Sequence, residues 1–282
     1  MKAEAVGYIR ATDTMHAISL LAESRGGARL LAGGQSLVAS MNLRLTGEMS
    51  LIDINGISEL SGILVGDGML RIGALTRHRE LAASDLVRRH APALSQAAPL
   101  IAHAAIRTRG TIGGSLAYCD PAAELPACML ALSATIVVQG PLGARRVTAE
   151  DFFVDLFTTD LAEDEMITAV EVQVARPDEQ QVILELARRS GDYAIVGIVL
   201  TRQSDNVRIA YFGVGPTAVL AQGAMRTLAE GRDVNAACAA LAEDLDPQSD
   251  MHASAAVRLH LAQVLLRRAH LAAAPLGDAR ND

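Results

Sequence analysis

With 282 residues, half of them hydrophobic and a fifth charged, the chain is ordinary globular material, long enough for two or three compact units. Its formal charge of −7 excludes the basic face on which nucleic-acid binding depends. Trp is absent and Tyr and Phe number four each, so the core must be aliphatic.

The opening MKAEAVGYIRATD holds no apolar core like that of a secretory signal. No run in the chain nears the roughly 20 apolar residues that span a bilayer. A cytoplasmic location is the simplest expectation. Residues 14–23 have the spacing of an amphipathic helix entered from Thr12 or Asp13. Residues 29–32 read as a short strand running into a glycine turn, Gly33-Gly34-Gln35-Ser36. A helix over 37–45, with Leu37, Met41 and Leu45 on one face, and a strand at 51–54 closed by Asn55-Gly56 complete a small α/β unit of parallel character. Gly66-Asp67-Gly68, between strands at 60–63 and 69–72, signals a hairpin. Helices are expected from near Arg77 and over 91–105, ahead of a second glycine turn at 110–115. A short helix at 125–132, strands at 135–138 and 145–147, a turn or short helix at 149–153 and a strand at 166–174 follow. The polar run 177–181 is the clearest composition break and marks a domain boundary. Beyond it come strands at 182–187, 195–202 and 207–214, then helices at 218–228, 234–245 and 253–273. The tail 276–282 is expected to fray.

Cys119, Cys128 and Cys238 form no CxxC, and the seven His residues form no HExxH, so no metal or iron–sulfur ligand set is expected in this chain. His78, His90 and His103 lie too far apart in sequence to suggest a shared role. Redox chemistry here would need an organic cofactor. The two glycine turns are where backbone can approach a phosphate-bearing ligand, because glycine accepts positive φ and puts no Cβ between amides and an anion. Gly33, Gly34, Gln35 and Ser36 offer consecutive amides at a helix start, and Thr111, Gly113, Gly114 and Ser115 combine amides with hydroxyls. Either turn alone is as readily a plain loop. Neither matches GxGxxG after a first strand, and GxxxxGK[ST] is absent, so the residues indicate a nucleotide cofactor held by two glycine loops and nothing finer.

The chain resembles the FAD-binding medium subunit of the molybdenum hydroxylases, the family of xanthine dehydrogenase and bacterial carbon monoxide dehydrogenase. The resemblance rests on AGGQSL (32–37), NLRL (42–45), LIDI (51–54), IGA (72–74), RGTIGG (109–114), DPAAE (120–124), DFF (151–153), ARRSGDY (187–193) and LLRRA (265–269). These motifs are collinear and span the chain. The resemblance implies an α+β fold. A two-lobed FAD domain would occupy 1–177, with lobes at about 1–57 and 58–177. A C-terminal domain of a small antiparallel sheet with a helical bundle would occupy 178–282.

It further implies that Ala32, Gly33, Gly34, Gln35, Ser36 and Leu37, with Thr111, Ile112, Gly113, Gly114 and Ser115, hold the pyrophosphate and adjoining ribityl groups of FAD. Asp120 would also contact the cofactor, Glu124 would lie near the sugar-alcohol chain, and Leu161 and Tyr193 near the isoalloxazine. Glu124 also reads as a helix-start carboxylate, Tyr193 as a core aromatic, and Asp53 as a structural strand end. Arg107 and Arg109 read equally as phosphate contacts, partner contacts or solvated side chains. Ser115 stands where many relatives have Asn, Ala11 where Pro often occurs, and Glu185 where many carry Lys. The implied assembly is a dimer of heterotrimers. A large subunit holds the molybdenum–pterin and hydroxylates substrate, a small subunit holds two 2Fe-2S clusters, and this chain passes electrons to an external acceptor. No catalytic acid–base residue is expected here. The alternatives are a stand-alone FAD oxidoreductase and a non-catalytic scaffold that has lost its flavin.

Overall fold

A computed structural model describes residues 6–204 and 206–274 of the chain. Lobe 1 runs β1 (Gly7–Arg10), α1 (Thr14–Ser24), β2 (Ala28–Leu31), α2 (Leu37–Asn42) and β3 (Ser50–Asp53), its strands forming a parallel sheet in the order β1-β3-β2. Helix α1 starts where the Asp13 side chain accepts the His16 amide, and it buries Ala17, Ile18 and Leu21. Strand β1 was not legible in the sequence. It is an edge strand with all four residues exposed, so no inside–outside alternation marks it.

Lobe 2 begins with a 3-10 turn at Ser58–Leu60 and the hairpin β4 (Ile63–Gly66) and β5 (Met69–Gly73). Six helices follow: α3 (His78–Ala83), α4 (Asp85–His90), α5 (Pro92–Ala97), α6 (Ala104–Arg107), α7 (Ile112–Tyr118) and α8 (Glu124–Ala131). The chain closes the lobe with β6 (Thr135–Gly140), β7 (Gly143–Thr148), α9 (Ala149–Phe152), a ribbon of β8 (Phe153–Asp155) and β9 (Thr158–Thr159), and β10 (Met166–Gln173). Its five-stranded sheet is antiparallel, in the order β4-β5-β10-β6-β7. The single helix expected over 91–105 is two. Pro92 opens α5, where its missing N–H is harmless, and Pro99 prevents continuation. The strand expected from residue 60 starts only at Ile63, because Leu60 is buried in the turn before it.

The C-terminal part is an antiparallel sheet of β11 (Gln180–Leu186), β12 (Val196–Gln203), β13 (Asn206–Phe212) and β14 (Val219–Leu220), in that order. Helices α10 (Gln222–Ala229), α11 (Val234–Asp244) and α12 (Ala255–Ala272) cover one face. The helix expected from residue 218 begins at Gln222, since Val219 and Leu220 pair with β13 and the Ala221 N–H reaches the Ile209 carbonyl at 2.9 Å. Alternation along β12 sends Val196, Ile198 and Leu200 toward these helices. Val199 joins Ile183, Ala210 and Phe212 in the aliphatic core of lobe 2. One sheet thus serves two cores, and the Thr201 hydroxyl donates across the junction to the Ala131 carbonyl at 3.2 Å. The tail at 276–282 lies outside the described residues. Among the described residues, no helix is long and apolar enough to cross a membrane.

Candidate functional site

A cleft of about 1440 Å³ runs between the two lobes and the loops at one end of the C-terminal sheet. Its first wall is the AGGQSL segment. β2 delivers the chain to Gly34, whose φ of +71° suits glycine, and α2 departs just after it. Because a helix starts here, the amides of Gly34, Gln35, Ser36 and Leu37 find no acceptor among the described residues, while Val38 N–H returns to the Gly34 carbonyl at 3.1 Å. Gln35 turns its side-chain amide onto the Gly33 carbonyl at 2.8 Å. Ala32, Gly33, Gly34, Gln35, Ser36 and Leu37 all line the cleft.

The second glycine segment is a helix N-terminus rather than a loop. Thr111 caps α7, its hydroxyl accepting the Gly114 N–H at 3.1 Å. Ile112 N–H bonds the Thr76 carbonyl at 3.0 Å, Gly113 N–H the Ala74 carbonyl at 2.9 Å and Ser115 N–H the Thr111 carbonyl at 3.0 Å. The amides of Ile112, Gly113, Gly114 and Ser115 are therefore committed within the chain. What this segment offers the cleft is the hydroxyls of Thr111 and Ser115 and the bare Cα atoms of Gly113 and Gly114. Ile112 does not reach the cleft. It opens a helix packed on lobe 2, and its side chain is fully buried in the core.

The two glycine segments touch. A Cβ on Gly33 would lie 2.5 Å from the Arg109 carbonyl oxygen and 2.8 Å from Gly110 Cα, and one on Gly113 would lie 2.6 Å from Ala74 Cβ. A hydrogen-bonded chain fastens the same junction. The Tyr8 hydroxyl donates to Asp53 at 2.5 Å, and the Asn55 side-chain amide donates to Asp53 at 2.7 Å and to the carbonyls of Leu31 and Ala32 at 3.0 and 2.9 Å. Arg77 donates to Asn55 Oδ1 at 2.6 Å and to the Arg109 carbonyl. Burial pushes the Asp53 carboxyl up, but the hydrogen bonds from Tyr8 and Asn55 outweigh it and hold it below its ordinary value. Asp53 is structural. Arg107 spends its guanidinium on the carbonyls of Ile101 and Ala102, at 2.9 and 2.6 Å.

Asp120, Glu124, Leu161 and Tyr193 line the remaining walls. Asp120 Oδ1 accepts the Ala122 N–H at 2.9 Å in the turn before α8, and burial raises its carboxyl. Glu124 is the first residue of α8 and only 9% exposed. Burial, with the Glu185 and Asp120 carboxylates, pushes it up to about 8. Leu161 is half-buried against the core of lobe 2. Tyr193 is 71% exposed, so it is no core aromatic; desolvation and the Asp120 carboxylate push its phenol up to about 12. His78, which sequence reasoning left without a role, also lines the cleft. It is buried with neither ring nitrogen hydrogen-bonded, and burial lowers it to about 4, leaving a neutral imidazole. Unpaired amides, two hydroxyls and a buried acid around one cleft of this volume fit a dinucleotide cofactor.

Residues 4–174 match the family model described as the FAD binding domain in molybdopterin dehydrogenase, and residues 182–273 the model described as the CO dehydrogenase flavoprotein C-terminal domain. The chain is 38% identical to the 6-hydroxypseudooxynicotine dehydrogenase complex subunit alpha of Paenarthrobacter nicotinovorans, over 95% of this chain and 94% of the relative. Its fold superposes on a carbon monoxide dehydrogenase chain from Hydrogenophaga pseudoflava with a TM-score of 0.94 at 35% identity, covering 97% of this chain and 98% of that one. Quinoline 2-oxidoreductase from Pseudomonas putida 86 gives a TM-score of 0.88 at 34% identity, covering 97% and 100%.

Proposed function

The chain belongs to the FAD-binding medium subunits of the molybdenum hydroxylases, and from that premise we propose how its residues serve an electron-transfer role within such a complex. The amides of Gly34, Gln35, Ser36 and Leu37, with Ala32 and Gly33 beside them, hold the pyrophosphate of FAD together with the hydroxyls of Thr111 and Ser115. Gly114 keeps that wall open, and Gly113 beside it lets α7 pack against Ala74. Asp120 and Glu124 serve the sugar-alcohol chain, and Leu161 and Tyr193 border the isoalloxazine. FAD supplies reversible one- and two-electron chemistry when bound. The chain supplies placement: Arg77 and Asn55 hold the two glycine segments together, and Tyr193 brings an aromatic from the β11–β12 loop to the cleft.

In this reading a small subunit with two 2Fe-2S clusters delivers electrons, and an external acceptor removes them. Substrate hydroxylation takes place on a large molybdopterin subunit, with the whole assembled as a dimer of heterotrimers. The chain divides near 177/178, and no acid–base pair for the substrate is assigned to it. The observation that carries the reading is the run of unpaired amides at 34–37 bordering the cleft.

Gly114→Val tests it. A Cβ there has one neighbour within 4 Å, the Thr111 hydroxyl at 2.8 Å, and otherwise opens to the cleft. The variant is expected to purify folded by circular dichroism but colourless. A folded variant carrying stoichiometric FAD would overturn the assignment. Reduction of the isolated wild-type chain by a substrate would favour the stand-alone oxidoreductase instead.

A further inference from the structure

Glu124 lines the cleft, 9% exposed, and no group of another described residue hydrogen-bonds its carboxyl. Glu185 approaches it from β11. Alternation places Gln181, Ile183 and Glu185 on the face toward α5 and α8: Gln181 Oε1 accepts the Ala93 N–H at 3.0 Å, and Ile183 packs in lobe 2. Val182, Leu184 and Leu186 face α12 on the other side. Glu185 Oε2 is fully buried without a partner.

Among the described residues no cation is hydrogen-bonded or ion-paired to either carboxyl; Arg188, three residues after Glu185 and also lining the cleft, lies 4.0 Å from Asp192. Helices α5 and α7 and strand β14 carry no Lys or Arg, and α9 adds only Glu150 and Asp151. Arg208 of β13 is committed at the far end of α8, to the Leu130 carbonyl at 2.9 Å and Glu150 at 2.6 Å. Arg202 of β12 meets His270 at 2.9 Å. Arg258 of α12 is held by Asp250 at 2.6 Å, and His260, Arg267, Arg268 and His270 belong to the same helix across the sheet. Of the phenols nearby, Tyr193 faces Asp120, and Tyr118 packs at a tilt against Phe157 with ring centroids 5.1 Å apart. The charges that act on Glu124 are Glu185 and Asp120, both acidic.

Two carboxyls in a water-poor site without a paired cation do not both ionise. We propose that Glu124 carries a proton at neutral pH, held there first by its burial and then by the neighbouring Glu185 carboxyl, and that its carboxylic O–H donates a hydrogen bond to an oxygen of the ligand in the cleft. This rests on the cleft holding FAD, whose sugar-alcohol and ring oxygens are acceptors. An ionised Glu124 could only accept. Burial raising Glu124 to about 8 and Glu185 to about 7 places the change from donor to acceptor at mildly alkaline pH.

The test is an infrared titration of carboxyl groups in the full chain, alongside FAD dissociation constants across pH 6 to 9.5. A protonated-carboxyl band is expected at pH 7 in wild type and should lose its Glu124 component in Glu124→Gln, where of this pair only Glu185 can still contribute. The FAD dissociation constant should rise about tenfold through the alkaline step, the worth of one neutral hydrogen bond. Glu124→Gln keeps an N–H donor. It should bind FAD about tenfold more tightly than Glu124→Leu and lack the step, while Glu185→Gln should move the step to lower pH. A wild-type chain without the Glu124 band at pH 7, or one binding FAD equally at pH 6.5 and 9, overturns the proposal. Failure of the folded wild type to bind FAD at any pH would overturn the cofactor assignment instead, and the band in the ligand-free chain still reports the proton.

Discussion

Replacing Gly33 with alanine would put a methyl group where main chain already stands. The new Cβ would sit 2.5 Å from the Arg109 carbonyl oxygen, 2.8 Å from Gly110 Cα and 3.0 Å from the Arg109 carbonyl carbon. Ordinary contact begins at 3.4 Å, so relief requires a shift of about 0.9 Å between the lobes. None of these atoms can swing aside by a rotamer change. The Arg109 carbonyl is also held by Arg77, and the Gly110 carbonyl accepts the His78 N–H at 3.0 Å, so the shift strains both bonds. Overpacking of this kind costs about 1–3 kcal/mol, and loss of a charge-assisted hydrogen bond adds about 1.5–3 kcal/mol. Taking about 3 kcal/mol, the melting temperature of a chain this size should fall by roughly 6–12 °C. Separating the amide donors from the opposite wall should weaken FAD by at least about tenfold. Thermal melting and recovery of flavin fluorescence on titration read the two effects. Gly66→Ala is the control, since a Cβ there meets nothing within 4 Å and should change neither. A Gly33→Ala protein with wild-type melting temperature and FAD content would refute the close contact between the lobes.

Two other outcomes follow from the walls of the cleft. His78 is held near 4 by burial, against 6.5 when exposed, so between those values the unfolded chain binds more protons than the folded one. Its contribution is complete above pH 6.5 and lost as pH falls toward 4, on the order of 3 kcal/mol; His78→Gln should flatten that part of the pH–stability profile, and parallel profiles would contradict it. Tyr193→Ala should weaken FAD and change the flavin absorption spectrum or potential, and an unaltered spectrum, potential and affinity together would remove Tyr193 from the site.

Much of the architecture could be read from local patterns. Residues 14–23 spaced their apolar side chains for α1, Gly66-Asp67-Gly68 announced the β4–β5 hairpin, and the run 166–174 matched β10 closely. Motifs spread along the chain led to the correct family. What escaped was whatever depends on a partner distant in sequence. β1 is defined by pairing with β3, about 40 residues on, and carries no buried face of its own. Gly33 looked like a phosphate-loop glycine, yet its missing Cβ is demanded by Arg109 and Gly110. The amides of 112–115 looked available because nothing local reveals that Ala74 and Thr76 accept two of them. Arg77 and Asn55, 22 residues apart, form a junction that neither residue signals alone. Pro99 is a local signal that divides the helix expected over 91–105.

The C-terminal sheet has Ile183, Val199 and Phe212 in one core and Val196, Ile198 and Leu200 in the other. Severing the polypeptide in the polar stretch between β10 and β11 would therefore lay bare an oily surface on each fragment. The two segments are bound to melt as a single cooperative body, and neither is a module that could be traded freely between related enzymes.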